Sequence, residues 1–170
     1  LRTTNEERDQ RPTTNHQPPT PMNDARERAL AYVAGHHVMT LATNGPLGLW
    51  AAAVFYAHDG FRFIFLSAGR TRHAQNMAAV PDVAATIQAD YRDWPAIQGI
   101  QLEGVVEQLH GARRAAAMAR YVARYHFLAQ PVATLEAALQ RVNWYELRPR
   151  RLYFVDNTLG FGHRDEITDL

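Results

Sequence analysis

Between residues 37 and 67 three apolar runs follow one another with no room for a helix between them: "HVMTLAT", "LGLWAAAVFYA" and "FRFIFLS". The breaks are Asn44-Gly45-Pro46 and His58-Asp59-Gly60, both turn-forming. Strands joined this tightly must pair antiparallel, because a parallel connection needs a crossover of about a dozen residues or more. The middle run carries no charge and reads as a strand buried on both faces. A fourth strand, "DVAATIQAD", is linked by "YRDWPA" to a long one, "IQGIQLEGVVEQLH". There Ile100, Leu102 and Val106 alternate around Gly104, which marks the bulge or sharp bend that a barrel wall requires.

The helical pattern is peripheral. Asp24 is placed to N-cap a helix whose apolar face is Ala29, Leu30, Tyr32 and Val33 and which stops near Gly35. A short helix follows the third strand and ends before Pro81. From Ala112 the period is again helical, with Ala115, Met118, Ala119, Val122 and Tyr125 on one face. Arg113, Arg120 and Arg124 lie on another and read as solvated. A second short helix runs from Pro131 to about Arg141, and "NWYELRPRRLYFVDN" closes the chain as one or two strands. The expected class is α+β, mainly β: an antiparallel barrel with helices packed outside it. Residues 1–23, with Pro12, Pro18, Pro19 and Pro21 and almost no apolar side chains, read as a disordered tail, leaving 24–170 as one domain.

Absences narrow the chemistry. The 170 residues contain no cysteine, which removes disulfides, cysteine-ligated zinc and thiol catalysis. A formal net charge of +1 gives no reason to expect nucleic acid. No apolar run reaches the length of a membrane span and no signal pattern opens the chain, so a cytoplasmic protein is expected. His36-His37 and the "YHF" at 125–127 lack metal-ligand spacing, and no metal is expected. No nucleotide-binding glycine motif or nucleophile elbow is present.

One stretch stands out: "LSAGRTRHAQNM", residues 66–77. A strand end followed by Gly69 and a helix start leaves backbone N–H groups converging where the helix dipole adds partial positive charge. Arg70 and Arg72 would add charge-assisted bonds to an oxyanion there, Thr71 a hydroxyl, and His73 a further donor when protonated. The same residues also suit a helix cap, Thr71, with solvated arginines around it; composition alone leaves both open. Near the C-terminus "FVDNTLGFG" combines tight-turn residues with Phe161, an aromatic placed either to stack on a ring or to plug the core. Trp94, before Pro95 in a linker, is a further aromatic suited to a ligand.

The order strand, Ser-x-x-x-Thr-Arg-His, short helix with Asn, Pro, strand resembles the FMN-binding split-barrel proteins related to pyridoxamine 5'-phosphate oxidase. "TRHAQ" at 71–75, "IQGIQLEG" at 97–104 and "DNTLGFG" at 156–162 are similar to its YhbP-like branch, and the likeness covers about residues 25–165. The resemblance implies a split barrel, a homodimer with FMN at the interface and a flavin oxidoreductase of unknown substrate. It implies that Thr71, Arg72 and His73 grip the phosphate, that Leu66 and Ser67 lie at the ribityl chain, and that Trp50, Ala51, Ala52 and Ala53 run along the ring. Gln98 or Gln101 would come from the other subunit, and Phe161 would cover the flavin. Haem is known among relatives of this barrel, so a flavin or haem carrier, or a cofactor-free interaction module, is the alternative. "LWAAAVFY" lacks the arginine and lysine that those oxidases carry on this strand, so vitamin B6 phosphate is not the expected substrate. No side chain is singled out as an acid or base.

Overall fold

A computed structural model of the chain describes residues 21–125, 139 and 141–170. The proline-rich tail up to residue 20, nearly all of the short helix expected from Pro131, and His126 and Phe127 of the "YHF" stretch fall outside the described residues. The elements are α1 (Pro21–Gly35), β1 (Val38–Thr43), β2 (Trp50–Asp59), β3 (Arg62–Ser67), α2 (Arg72–Ala79), β4 (Asp82–Gln88), β5 (Gln98–Gln108), α3 (Gly111–Arg124), β6 (Asn143–Asp156) and β7 (Arg164–Glu166).

Every strand pairing is antiparallel, in the order β3-β2-β1-β4-β5-β6-β7, and β3 also pairs with β6. That last pairing closes six strands into the barrel that the short connections demanded. The helix expected at Asp24 begins three residues earlier, at Pro21, a residue tolerated in a first helical turn. Asp24 therefore sits within the first turn and is not the cap.

The barrel interior holds Met39, Leu41, Tyr56, Phe63, Phe65, Ile87, Ile100, Leu147, Leu152 and Phe154, joined by Ala29, Tyr32 and Val33 from α1. A smaller cluster lies outside the wall between β3, β6 and α3: Ile64, Ala117, Tyr121, Tyr125 and Trp144. The buried line of α3 is thus Ala117–Tyr121–Tyr125, while Ala115 and Ala119 are exposed. Tyr121 and Tyr125 fill the gap to the sheet on either side of the small contact at Ala117. Nor are the α3 arginines simply solvated. Arg120 pairs with Asp59, Arg113 with Glu107 and Glu146, and Arg124 donates to the carbonyls of Ala34 and His36, so it caps the C-terminal end of α1.

Gly104 does mark an irregularity, but the extra residue lies opposite it. Glu103 pairs with Arg151 and Gly104 with Pro149, so Arg150 is bulged out of β6. Pro149, which has no N–H to give to a ladder, is at home beside such a bulge.

Candidate cofactor site

The turn after β3 brings the expected cluster together. Ser67, buried at the strand end, places its Oγ 2.6 Å from His73 Nε2 and 2.9 Å from Thr71 Oγ1. Thr71 donates to the Ala68 carbonyl at 2.9 Å and accepts from the N–H of Ala74, so it caps α2 while sharing in the hydroxyl–imidazole cluster. The capping role and the polar cluster are the same atoms. With the Thr71 proton committed to Ala68, Ser67 has one proton to give, either to His73 or to Thr71. His73 is half-buried, and this desolvation lowers its pKa from the ordinary 6.5, so near neutral pH the ring is uncharged.

Arg72 behaves differently from the expectation of a free anion grip. Its Nη2 donates to the carbonyls of Leu47 and Leu49, and its guanidinium lies 4.8 Å from the centroid of the Trp50 ring. Arg72 thereby fastens the β1–β2 connection to α2. Its Nε is buried with no acceptor. Asn76, fully buried on α2, donates from Nδ2 to the Gly48 carbonyl at 2.9 Å and to Thr43 Oγ1 at 3.3 Å. Sequence reasoning missed this role. The sequence pattern marked an asparagine on this helix but not its partners, which lie in β1 and the connection after it.

β2 is not buried on both sides. Leu41 partners Ala52 and faces the interior, whereas Ala51 and Ala53 pair with Ala42 and Thr40 on the outward face. Two of the three alanines therefore share the outer surface with Phe55 and Val38, both exposed, and the adjoining connection exposes Leu47, Leu49 and Trp50. A groove of about 370 Å³ opens beside them, lined by Ala42, Thr43, Leu49, Ala84 and Gly104 among others.

The other expected residues lie apart from the cluster. Leu66 points to the opposite face from Ser67, into the α3 cluster beside Trp144. Gln101 is exposed and accepts from Arg164 Nη1 at 3.3 Å. Phe161 does not plug the core: it is 84% exposed, with its ring 5.8 Å from that of Trp94. Ser67 pairs with the first residue of β6, and Phe161 follows its last, so the two sit at opposite ends of a 14-residue strand. That is roughly 40 Å of strand at about 3.3 Å per residue.

The family model for pyridoxamine 5'-phosphate oxidase matches residues 25–156. The chain belongs to the pyridoxamine 5'-phosphate oxidase family. Within it the chain falls in the UPF0306 (YhbP) branch. It is 36% identical over 135 residues to a UPF0306 protein of an Enterobacter species, covering 78% of this chain and 89% of that one. It is 34% identical to the UPF0306 protein YhbP of Salmonella schwarzengrund, covering 78% and 86%. Among solved structures, a haem-binding protein from Mycobacterium smegmatis superposes with a TM-score of 0.66 at 26% identity. That match covers 88% of this chain but only 58% of the mycobacterial one. Among the described residues no helix is long and apolar enough to cross a membrane, and no group of three His, Asp or Glu side chains is placed to hold a metal.

The lowered pKa of His73 has a measurable consequence. A histidine held neutral by burial contributes stability above its unfolded pKa of about 6.5 and loses it as pH falls through the lower folded value. His58 is lowered by burial as well and acts in the same direction. Urea midpoints should therefore fall from about pH 7.5 to about pH 5.5, and His73→Gln should flatten part of that fall. An unchanged slope in the variant would show that His73 titrates alike in both states.

Proposed function

We propose that this member of the family binds FMN, with the phosphate at the Ser67–Thr71–His73 cluster, and acts as an FMN-dependent oxidoreductase. The observation that carries the reading is the convergence of two hydroxyls and an imidazole on the first turn of α2. Of the N–H groups there, that of Ala74 is taken by the Thr71 cap; those of Arg72 and His73 have no intrahelical acceptor, and the buried Nε of Arg72 has no partner either. The hydroxyl–imidazole cluster, its protons engaged within itself and on Ala68, fixes the turn, and the N–H groups that the turn presents, with Arg72 Nε, suit a phosphate monoester. The outward face of Ala51 and Ala53 gives a flat ring close approach to backbone. When bound, FMN supplies the hydride chemistry, while the chain supplies binding, orientation and exclusion of water.

A second copy of the chain is the proposed partner. The outward faces of β1 and β2 and the Leu47–Trp50 connection expose more large apolar side chains than a lone barrel wall accounts for. Gln101 and Phe161, distant from the cluster within one chain, would then serve the site of the other copy. A second reading, haem binding, is favoured by the mycobacterial neighbour; against it, His73 Nε2 is already bonded to Ser67.

The test is a visible spectrum of the full-length protein with added FMN and, separately, haem, beside Ser67→Ala and Arg72→Ala. FMN should bind, and each substitution should weaken it by roughly ten- to a hundredfold, the worth of a hydrogen bond to a charged group. No spectral or fluorescence change with FMN, together with a strong haem band, would replace the first reading by the second.

A further inference from the structure

The turn that joins β6 to β7, residues 157–163, is clamped at both flanks and tied to the β4–β5 connection. The clamp is Arg28, on α1 and 128 positions before Asp156. Its Nη1 donates to Asp156 Oδ2 at 2.5 Å and its Nη2 to Asp165 Oδ2 at 3.2 Å, so one guanidinium bridges the last residue of β6 and the middle residue of β7. Asp156 is buried, and its other oxygen accepts from the N–H and the hydroxyl of Thr158. Asp165 also pairs with His163. Asn157 makes the tie: its N–H donates to the Ile97 carbonyl and its Nδ2 to the Trp94 carbonyl, while its Oδ1 accepts from the N–H of Gly162.

The side-chain hydrogen bonds of Asn157, Thr158 and His163 thus all go to the turn or to its anchors. What the turn presents to solvent is apolar: Leu159 and Phe161 are exposed, and exposed Trp94 lies beside the Phe161 ring. Phe161 stands between Gly160 and Gly162, whose φ of +147° and +73° spare the turn the strain that other residues would carry there. Joining two antiparallel strands calls for none of this, since two residues suffice. A longer turn, fixed by a buried carboxylate and an asparagine with its aromatics outward, holds those aromatics in one place.

We infer that Arg28 is a positioning residue: by bridging Asp156 and Asp165 it sets where the Trp94–Phe161 pair stands. What the pair covers rests on the proposed function, in which Phe161 serves the flavin of the other copy; Trp94 then belongs to the same surface, suited to the face of a flat ring. The bridge needs a planar fork. A lysine is a single point of charge and does not hold two carboxylates in fixed directions. Asp24, 3.5 Å from the Arg28 Nε, and the Phe154 ring, 5.6 Å from the guanidinium, fix the fork further.

The experiment compares Arg28→Lys, Asp165→Asn and Phe161→Ala in the full-length, ¹⁵N-labelled protein. Val33→Ala is the control: it loosens α1 at a fully buried position outside the clamp. The first readout needs no FMN. The Trp94 indole N–H signal, identified by its loss in Trp94→Phe, should shift in Phe161→Ala as the neighbouring ring is removed. Arg28→Lys should shift it the same way, Asp165→Asn by less, and Val33→Ala should leave it in place. The second readout is FMN affinity. Phe161→Ala and Arg28→Lys should each weaken it about two- to tenfold, the worth of one aromatic contact. The double variant should lose no more than Phe161→Ala alone, because Arg28 acts through that ring. A Trp94 signal that stays in place in both Arg28→Lys and Asp165→Asn, or that moves equally in Val33→Ala, would overturn the inference, as would additive losses in the double variant. If the unsubstituted protein does not bind FMN while the Trp94 signal moves as expected, Arg28 still positions the pair, and it is the flavin reading that falls.

Discussion

Gly104→Ala is expected to cost roughly 3 kcal/mol or more of folding stability, the upper range for forcing atoms into a packed site. A Cβ built on Gly104 would lie 2.2 Å from the Arg148 carbonyl oxygen and 2.8 Å from the Pro149 Cα. Both are backbone atoms of the strand paired with it, so neither moves without opening the β5–β6 ladder. The position is also where Arg150 bulges from β6, and the local bend there lets the barrel wall curve toward closure. Set against a typical total stability of about 5–15 kcal/mol, the substitution removes a large share. Urea unfolding checks it: the midpoint should drop with little change in slope. A loss under about 1 kcal/mol would mean that the bulge slides and that the register at Gly104 is not what closes the barrel.

Much of this architecture was legible because it is local. The turns at Asn44-Gly45-Pro46 and His58-Asp59-Gly60 imposed antiparallel pairing, and alternation in Ile100, Leu102 and Val106 named the inward side of β5 correctly. Thr71 at the start of α2 was readable as a cap for the same reason: a hydroxyl residue and its target N–H lie a few positions apart. What failed was information held across the chain. The apolar run of β2 reads as buried on both faces, yet Ala51, Ala53 and Phe55 face outward, and the composition of a strand does not say what lies beyond its sheet. Arg72 looked free because its acceptors, the carbonyls of Leu47 and Leu49, belong to a loop more than twenty residues earlier. Leu66 and Ser67 were grouped as neighbours in sequence, and the strand sends them to opposite faces. On α3 the reading held at Met118 and Tyr125, but the buried line runs through Ala117 and Tyr121 and leaves Ala115 and Ala119 exposed, a rotation that helical spacing alone does not fix.

Gly45→Ala is expected to strike both the fold and the candidate site. A Cβ at Gly45 would lie 2.7 Å from the Cα of Asn76 and 2.6 Å from its Oδ1, a clash with helix backbone as well as with a fully buried side chain. To relieve it, the β1–β2 connection must lift from α2. That breaks the Asn76 bonds to Gly48 and Thr43 and draws the Leu47 and Leu49 carbonyls away from Arg72. The expected loss is about 2–3 kcal/mol of stability, with a shift in Trp50 fluorescence as its guanidinium neighbour moves away. FMN affinity should fall along with it. Gly48→Ala is the control. Its φ of +80° makes an alanine strained, by about 1–2 kcal/mol, but the nearest atom to its Cβ is Arg72 Nη2 at 3.6 Å, an ordinary contact. If the connection acts by seating on α2, Gly45→Ala should lower both the urea midpoint and FMN affinity more than Gly48→Ala. If the two variants lose stability equally but only Gly48→Ala loses FMN, the conformation of the connection governs the site, and its packing against Asn76 does not.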